Sequence, residues 1–315
     1  MRWLPLLGRE SADTVENLGN RLGYGAHQRL LIVHADDLGI AHAVNAAFIS
    51  GLGTGLINSG SVIMPGRSLA EIATFAQAHP EADIGLHLTL TSDSANEPWA
   101  PVASPSQVPS LVDGQGNFLA QWTSKTRVNP REVEIELRAQ IEKAYSSGIR
   151  PTHLDSHRFR LQLSGREVFE VYLRLAREYR LPVLVPRHWF SRMPYLQPSL
   201  IERDVVLDRM VIINGDVTPE QWPTFYRRAI ENLPPGVTEF LIHPGYDNAE
   251  LQQFFEHRLA WGAAWRQRDI DFFTGNVFRD LLSQYDIKLI TWREISERLN
   301  SRSPLARIRQ MFSSA

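Results

Sequence analysis

Four short motifs combine histidines and carboxylates in patterns that could bind a metal ion. They are His34-Ala35-Asp36-Asp37, Gly85-Leu86-His87-Leu88, Thr152-His153-Leu154-Asp155-Ser156-His157 and Leu241-Ile242-His243-Pro244-Gly245-Tyr246. The chain contains no cysteine, so a metal here must be bound by histidine, aspartate or glutamate. One aspartate and two histidines satisfy zinc or another divalent ion and leave a position for water. The spare carboxylate and histidine are then the base and acid that a hydrolysis requires.

The most specific of these signals is the alternation of His153, Asp155 and His157. In a strand, these three side chains project to one face at steps of about 6.6–6.8 Å. Burying two imidazoles and a carboxylate there is unfavourable without a metal or a satisfied hydrogen-bond network. A supporting role also fits, because metal-binding histidines usually donate their second N–H to a carboxylate.

Each of the other motifs has an ordinary structural alternative when taken alone. Asp36 and Asp37 repel each other unless a cation or another partner is near, but an Asp-Asp pair also suits a solvated turn with a helix cap. His87, on the polar face of a strand, and His243, at a strand end before Pro-Gly, could both be structural histidines. Together the motifs favour a metal hydrolase, in which one aspartate binds the ion and the other accepts a proton.

The framework that would position these motifs is an alternation of short apolar runs with longer amphipathic stretches. The pattern predicts strands at 29–34, 59–64, 83–90, 151–156, 182–185, 210–213, 239–243 and 288–291. It predicts helices at 43–53, 68–79, 129–148 with its caps, 168–179 and 222–232. About eight such units favour an α/β fold, a single-domain (β/α) barrel that is closed or slightly irregular, over an open doubly wound sheet. Each motif then lies at a strand end, where barrel enzymes build their active sites.

The predicted barrel covers residues 29–293, between an N-terminal extension at 1–28 and a C-terminal tail at 294–315. Three segments inside it are long, rich in aromatic residues and predicted as loops, at 91–127, 186–198 and 244–276. Loops of this length are usually functional or disordered. Their aromatic content favours ordered pocket walls, with stacking on sugar rings as one use, although each aromatic group could instead only anchor its own loop.

Composition and charge exclude several classes of protein. The 315 residues are 43% hydrophobic and 22% charged, as in ordinary soluble globular proteins. The net charge of −2 lacks the basic excess of a nucleic-acid-binding protein. No apolar run approaches the roughly 18 residues of a membrane span, and the apolar stretch at the start is too short for a signal peptide. We therefore expect a cytoplasmic protein that binds neither nucleic acid nor membranes, and the absence of cysteine fits a reducing compartment.

The four motifs together resemble those of a known family. HADDLG (34–39), GLHLTLT (85–91), PTHLDSH (151–157) and IHPGY (242–246) are similar to the motifs of the YdjC-like carbohydrate deacetylases, the diacetylchitobiose deacetylase group. These enzymes are related to the polysaccharide deacetylases and have a barrel-type fold. The resemblance covers the predicted barrel, with the motifs in the family's order.

The resemblance implies a role for each motif. Asp37, His87 and His157 would bind one divalent ion, Zn²⁺ or Mg²⁺, since imidazoles suit zinc and the carboxylate also permits magnesium or manganese. Asp36 would be the general base, and His243 the general acid or a partner on the oxyanion side. The implied reaction is hydrolysis of an N-acetyl group on an amino sugar or short oligosaccharide, which gives acetate and the free amine.

Other residues complete the expected site. His153 and Asp155 would support the metal-binding residues. Arg158, Arg160 and Trp99 would contact the substrate, although the arginines could instead pair with surface carboxylates.

The sequence departs from the family pattern in two places. The family commonly has Asn where His34 stands, and often has further histidines at positions 158–160. The alternatives to deacetylation are hydrolysis of another amide or ester, a catalytically silent carbohydrate-binding protein, and a barrel whose histidines are purely structural. The expected partners are a small carbohydrate and, in a homodimer, a second copy of the chain.

Overall fold

Parallel strands that are buried along most of their length form the centre of the molecule. The computed structural model describes residues 17–93, 97–123, 126–256 and 258–301. In these ranges the strands are β1 (Arg29–Leu38), β2 (Ser59–Val62), β3 (Ile84–Leu88), β4 (Leu154–Ser156), β5 (Arg209–Ile212), β6 (Gly236–Ile242) and β7 (Ile287–Leu289). Near-continuous apolar burial, as in β1 and β6, is typical of parallel strands that are covered on both faces.

The sheet has the order β4-β3-β2-β1-β6-β5 and curves into a barrel. The first residues of β1 pair with β7 and its later residues pair with β2, so these two strands share one edge of β1. Beyond β4, parallel bridges join Leu154 to Val183 and Pro186 to Leu207, which lies just before β5. The sheet therefore continues from β4 towards β5, and the predicted closed or slightly irregular (β/α) barrel is confirmed.

Helices cover the outside of this sheet. They are α1 (Leu18–Leu22), α2 (His42–Gly53), α3 (Leu69–Ala78), α4 (Pro130–Ser146), α5 (Arg160–Leu163), α6 (Arg166–Tyr179), α7 (Trp222–Glu231), α8 (Ala249–Phe254), α9 (Ala263–Phe273), α10 (Asn276–Gln284) and α11 (Trp292–Ser301). Short 3₁₀ turns lie at Pro105–Gln107, His157–Phe159, Arg187–Trp189, Gln197–Ser199 and Pro219–Gln221. Within the described ranges, no helix has the length and apolar character that a membrane crossing requires.

Helix α4 forms where the sequence predicts it and for the predicted reasons. The Asn129 side chain accepts a hydrogen bond from the Arg131 backbone N–H at 3.0 Å, and a proline occupies the first turn. Val133, Leu137 and Ile141 are fully buried on one face. Each such side chain contributes about 1.5–3 kcal/mol by leaving water.

Two strand predictions differ from the structure. Strand β1 runs to Leu38, so Asp36 and Asp37 lie within its irregular end and not in a following loop. The sheet register shifts here because Asp37 has a φ of 69°, in the left-handed region. The predicted strand at 182–185 makes only isolated bridges, because a proline at either end lacks the N–H that a longer ladder needs.

The predicted loop at 244–276 is wrong, since α8 and α9 occupy much of it. The Asn248 side chain caps α8 by accepting from the Leu251 N–H at 3.0 Å, and α9 buries Trp265 and Phe273. Near the ends of the chain, α1 packs against the barrel inside the segment that we assigned to an extension. Helix α11 crosses the predicted start of the tail.

Candidate active site

The five residues with proposed catalytic or metal-binding roles meet at the carboxyl ends of β1, β3, β4 and β6. Asp36 and Asp37 end β1, His87 lies on β3, and His157 and His243 follow β4 and β6 directly. All of them are buried or nearly so, although each carries a polar group that requires a partner. The barrel therefore assembles the site from motifs far apart in the chain.

Asp37, His87 and His157 have the spacing of metal ligands. Asp37 Oδ1 lies 3.5 Å from His87 Nε2 and 3.4 Å from His157 Nδ1. Two ligands that are each about 2.1 Å from a tetrahedral ion stand about 3.4 Å apart. Within the described residues, this Oδ1 atom is buried and has no hydrogen-bond partner. The donor set and its spacing therefore fit a divalent ion.

The second oxygen of Asp37 is held by Arg266, which no sequence pattern had indicated. Arg266 Nη2 donates to Asp37 Oδ2 at 2.6 Å, and its Nε donates to the Trp261 carbonyl at 3.0 Å. Burial alone would raise the pKa of Asp37, but the charges of Arg266 and His157 hold it well below its usual value. Asp37 is thus an anion whose Oδ1 faces His87 and His157.

The His87 ring is held by a hydrogen bond to Asp155, one of the two residues that the sequence predicts beside the metal-binding residues. His87 Nδ1 donates to Asp155 Oδ1 at 2.8 Å, and Asp155 Oδ2 accepts from Ser61 Oγ at 2.7 Å. Burial disfavours a charged His87, but Asp155 and Asp36 outweigh it and raise the pKa of His87 to about 10. Because the Nδ1–H of His87 points at Asp155, its Nε2 is the ring nitrogen that faces Asp37.

His157 has a corresponding carboxylate in Asp93, which sequence reasoning missed. His157 Nε2 lies 3.2 Å from Asp93 Oδ1, and Arg158 contacts the same oxygen. Burial opposes the charged ring, but Asp93 and Asp37 raise the pKa of His157. The Trp99 ring lies 5.9 Å from the His157 ring and is almost fully buried, so it packs beside His157.

The Asp36 carboxylate lies beside the Asp37, His87 and His157 cluster but is not within hydrogen-bond distance of His87. Its Oδ2 lies 3.7 Å from both His87 Nε2 and His243 Nε2, and its Oδ1 lies 3.3 Å from His34 Nε2. Burial raises the pKa of Asp36 to about 7, with His87 opposing the shift and Asp155 adding to it. A carboxyl group with such a pKa can accept and return a proton near neutral pH.

His243 is fixed at the end of β6 by its own backbone. Its N–H donates to Asp269 Oδ2 at 2.8 Å, and burial raises the pKa of Asp269 to about 7. Burial lowers the pKa of His243 to about 3; the charge of Asp37 opposes this shift, and the charges of Arg266, His87 and His157 add to it. The ring is therefore neutral at pH 7.

His34 and His153 lie deeper in the barrel. His34 Nε2 lies 3.0 Å from Asp155 Oδ2, and its Nδ1 lies 3.6 Å from Glu239 Oε1. The His153 ring contacts the His34 ring, with 4.9 Å between their centroids, so it lies one layer further from Asp37, His87 and His157 than the sequence predicts. A Cβ at Gly85 would stand 2.5 Å from the His153 ring, which explains the glycine two residues before His87.

Arg158 and Arg160 lie in the turn after His157. Arg158 Nη1 donates to the Ala120 carbonyl at 3.0 Å, while its Nη2 contacts Asp93. The Arg160 guanidinium lies over the Trp122 ring at 5.7 Å from its centroid. The two roles considered for these arginines are contact with the substrate and pairing with a carboxylate. Arg158 pairs with a carboxylate, that of Asp93.

Among the described residues, several that contact the site or support it were not predicted, including Ser61, Asp93, Glu239, Arg266 and Asp269. Arg266 and Asp269 lie one turn apart on α9, inside the segment that we predicted as a loop. An Arg-x-x-Asp spacing on a recognised helix is the signal that could have drawn attention to both.

The YdjC-like protein family model matches residues 30–284. A carbohydrate deacetylase from Thermus thermophilus is 33% identical over 294 residues, which cover 90% of this chain and 99% of that relative. A carbohydrate deacetylase from Brevibacillus brevis is 26% identical over 269 residues, which cover 84% of this chain and 99% of that relative. A crystal structure of a "putative cellobiose-phosphate cleavage protein" from Enterococcus faecalis has a TM-score of 0.72 at 26% identity, and the match covers 85% of this chain and 99% of that one.

Proposed function

The chain belongs to the YdjC-like protein family, and from this premise we propose that it is a metal-dependent carbohydrate deacetylase. Its substrate is an N-acetylated amino sugar or short oligosaccharide, and its products are acetate and the free amine. The observation that carries the proposal is the pair of 3.4–3.5 Å spacings around Asp37 Oδ1, beside a second buried carboxylate, Asp36, whose Oδ2 lies 3.7 Å from both His87 and His243.

Asp37 Oδ1, His87 Nε2 and His157 Nδ1 would hold the divalent ion. Bound there, the ion would lower the pKa of a water molecule and polarise the acetyl carbonyl. Asp155, Asp93 and Arg266 each fix the second polar atom of one ligand. Such partners set the ring or carboxylate orientation before the ion arrives.

Asp36 is the general base of the proposed reaction. Its carboxylate accepts a proton from the attacking water as the new C–O bond forms at the acetyl carbon. The same carboxyl group then returns the proton to the sugar nitrogen as the C–N bond breaks. Its pKa of about 7 suits both halves of this transfer.

His243 acts on the oxyanion side of the proposed site. Its neutral ring carries one N–H, which can donate to the carbonyl oxygen as negative charge develops there. The alternative role of general acid would first require protonation of a ring that its surroundings keep neutral. The hydrogen bond from its backbone to Asp269 keeps the imidazole at the strand end.

The test is acetate release from N-acetylglucosamine and its short β-linked oligomers, with protein assayed before and after chelation. We expect release that chelation abolishes and that Zn²⁺ or Mg²⁺ restores. Asp37→Asn should lose both bound metal and activity, whereas Asp271→Asn, at an exposed carboxylate on α9, should keep both. One bound ion per chain with no acetate from any N-acetylated sugar would refute the proposed substrate and leave the metal site standing.

A further inference from the structure

His34 is a fully buried histidine that the proposed mechanism does not use. Its Nδ1 lies 2.9 Å from Ser59 Oγ, and its Nε2 lies 3.0 Å from both Ser61 Oγ and Asp155 Oδ2. The backbone of His34 is in register with Ser59 on β2 and with Leu241 on β6. Strands on both sides and hydrogen-bonding groups at both ring nitrogens therefore hold the imidazole in one orientation.

The surroundings of Nε2 indicate that this nitrogen carries a proton. An ionised Asp155 can only accept hydrogen bonds, and Ser61 Oγ already donates to the same Oδ2 at 2.7 Å. A bare nitrogen at Nε2 would turn its lone pair towards the lone pairs of this carboxylate, so the contacts assign the Nε2–H tautomer to His34. Nδ1 then accepts from the Ser59 hydroxyl.

The same nitrogen lies beside the proposed general base, 3.3 Å from Asp36 Oδ1. Within the described residues, this oxygen is buried and has no hydrogen-bond partner. The sheet register does not fix Asp36 either, because the pairing with β6 ends at Ala35 and the pairing with β2 resumes at Leu38. His34 thus offers an N–H next to a buried carboxylate oxygen that needs one.

We propose that His34 is a positioning residue for Asp36. Its Nε2–H, shared between Asp155 and Asp36, fixes Oδ1 of the base and leaves Oδ2 on the side of His87 and His243, 3.7 Å from each ring. The inference rests on the proposed deacetylase function and adds a residue to its machinery. Asparagine, which the family commonly has at this position, carries its amide nitrogen at about the depth of Nδ1 and does not supply this N–H. The arrangement is therefore a feature of this chain.

Two substitutions separate the N–H from the volume of the ring. The glutamine amide can place an N–H where Nε2 lies, whereas leucine fills a similar volume without a donor. We expect kcat for acetate release from short β-linked oligomers of N-acetylglucosamine to fall about 10–100-fold in His34→Leu, the cost of a misplaced catalytic group. It should stay close to the wild-type value in His34→Gln and in the control His79→Gln, at an exposed histidine.

The KM and the affinity for Zn²⁺, measured by competition with a chelator, should stay near wild type in both His34 variants, because none of the proposed ligands is changed. Wild-type kcat in His34→Leu would overturn the proposal. So would a rate loss that excess Zn²⁺ restores, or an equal loss in His34→Leu and His34→Gln.

Nuclear magnetic resonance separates this inference from the proposed function, because it needs no substrate. In metal-free protein with isotope-labelled histidine, the ring signals report which nitrogen carries the proton, and the His34 signals are those lost in His34→Gln. We expect the proton on Nε2, with its resonance shifted in Asp36→Asn and unmoved in Asp271→Asn, at an exposed carboxylate. That result would support the contact even if no sugar released acetate or His34→Leu failed to fold. A proton on Nδ1 alone, or an Nε2–H resonance that Asp36→Asn leaves unmoved, would refute it.

Discussion

His87 and Asp155 are register partners on β3 and β4, and their side chains share a hydrogen bond of 2.8 Å across the barrel interior. The sheet itself thus sets the distance between a proposed metal ligand and the carboxylate that orients it. Asp155 also accepts from Ser61 and faces His34, so one carboxylate organises side chains from three other strands.

Asp155→Asn should weaken metal binding by about 10–100-fold, the usual effect of losing the partner of a ligand histidine. In the wild type, His87, Ser61 and His34 share the two carboxylate oxygens of Asp155, whereas the asparagine amide offers one acceptor oxygen. The amide also lacks the negative charge that favours the Nδ1–H tautomer of His87. Competition with a chromophoric chelator would measure the affinity, with Asp271→Asn as the control. Wild-type affinity in Asp155→Asn would contradict this role.

Asp36→Asn should reduce kcat by about 10²–10⁴-fold, the usual effect of removing a general base. Metal content should stay at the wild-type level, because the three proposed ligands do not include Asp36. Metal analysis of the purified variant beside its acetate-release rate provides the measurement. If the variant loses its metal, the roles assigned to Asp36 and Asp37 must be exchanged.

Arg266→Met should destabilise the metal-free protein by about 3–5 kcal/mol, because it leaves the buried Asp37 carboxylate without its cation. A bound divalent ion compensates part of this loss. The variant should therefore gain more in Tm on metal addition than wild type does. Arg268→Met, on the same helix with its guanidinium over Trp222, is the matched control. An equal metal-induced gain in wild type and Arg266→Met would show that Arg266 does not neutralise Asp37.

Metal binding at pH 7 should release about one proton or more per ion. The carboxylates raise the pKa of His87 to about 10 and also raise that of His157, so the metal-free site holds protons that the ion must displace. Because protons compete with the ion, the apparent affinity should increase as the pH rises. Calorimetry in buffers of different ionisation enthalpy would count the protons. Identical heats in all buffers would refute a protonated His87.

The sequence was most informative where the chemistry depends on local periodicity. His87 alternates with leucines on a strand, and Asp155 and His157 lie two residues apart, so both strand ends could be predicted without a structure. The pairing of Asp155 with His87 follows from adjacent strands in register. The barrel class followed from the alternation of strands and helices.

The missing residues depend on tertiary contacts that no local pattern encodes. Asp93 becomes relevant only because the segment after β3 returns to His157. Arg266 and Asp269 belong to helix α9, in a segment that the sequence predicts as a long loop. Without a predicted helix, the three-residue spacing between them does not indicate that they share one face. Glu239 lies among buried apolar residues of β6 and is itself buried. The sequence of the strand does not indicate this burial, because it results from the closure of the barrel.

The bond between Arg266 and Asp37 joins residues 229 positions apart. Contacts of such sequence separation form late, because a very long loop must close before they contribute. The proposed ligands are therefore oriented only once the last third of the chain has docked onto the first strand. An ion that needs all three proposed ligands in place binds only the folded barrel, so it stabilises that state against unfolding.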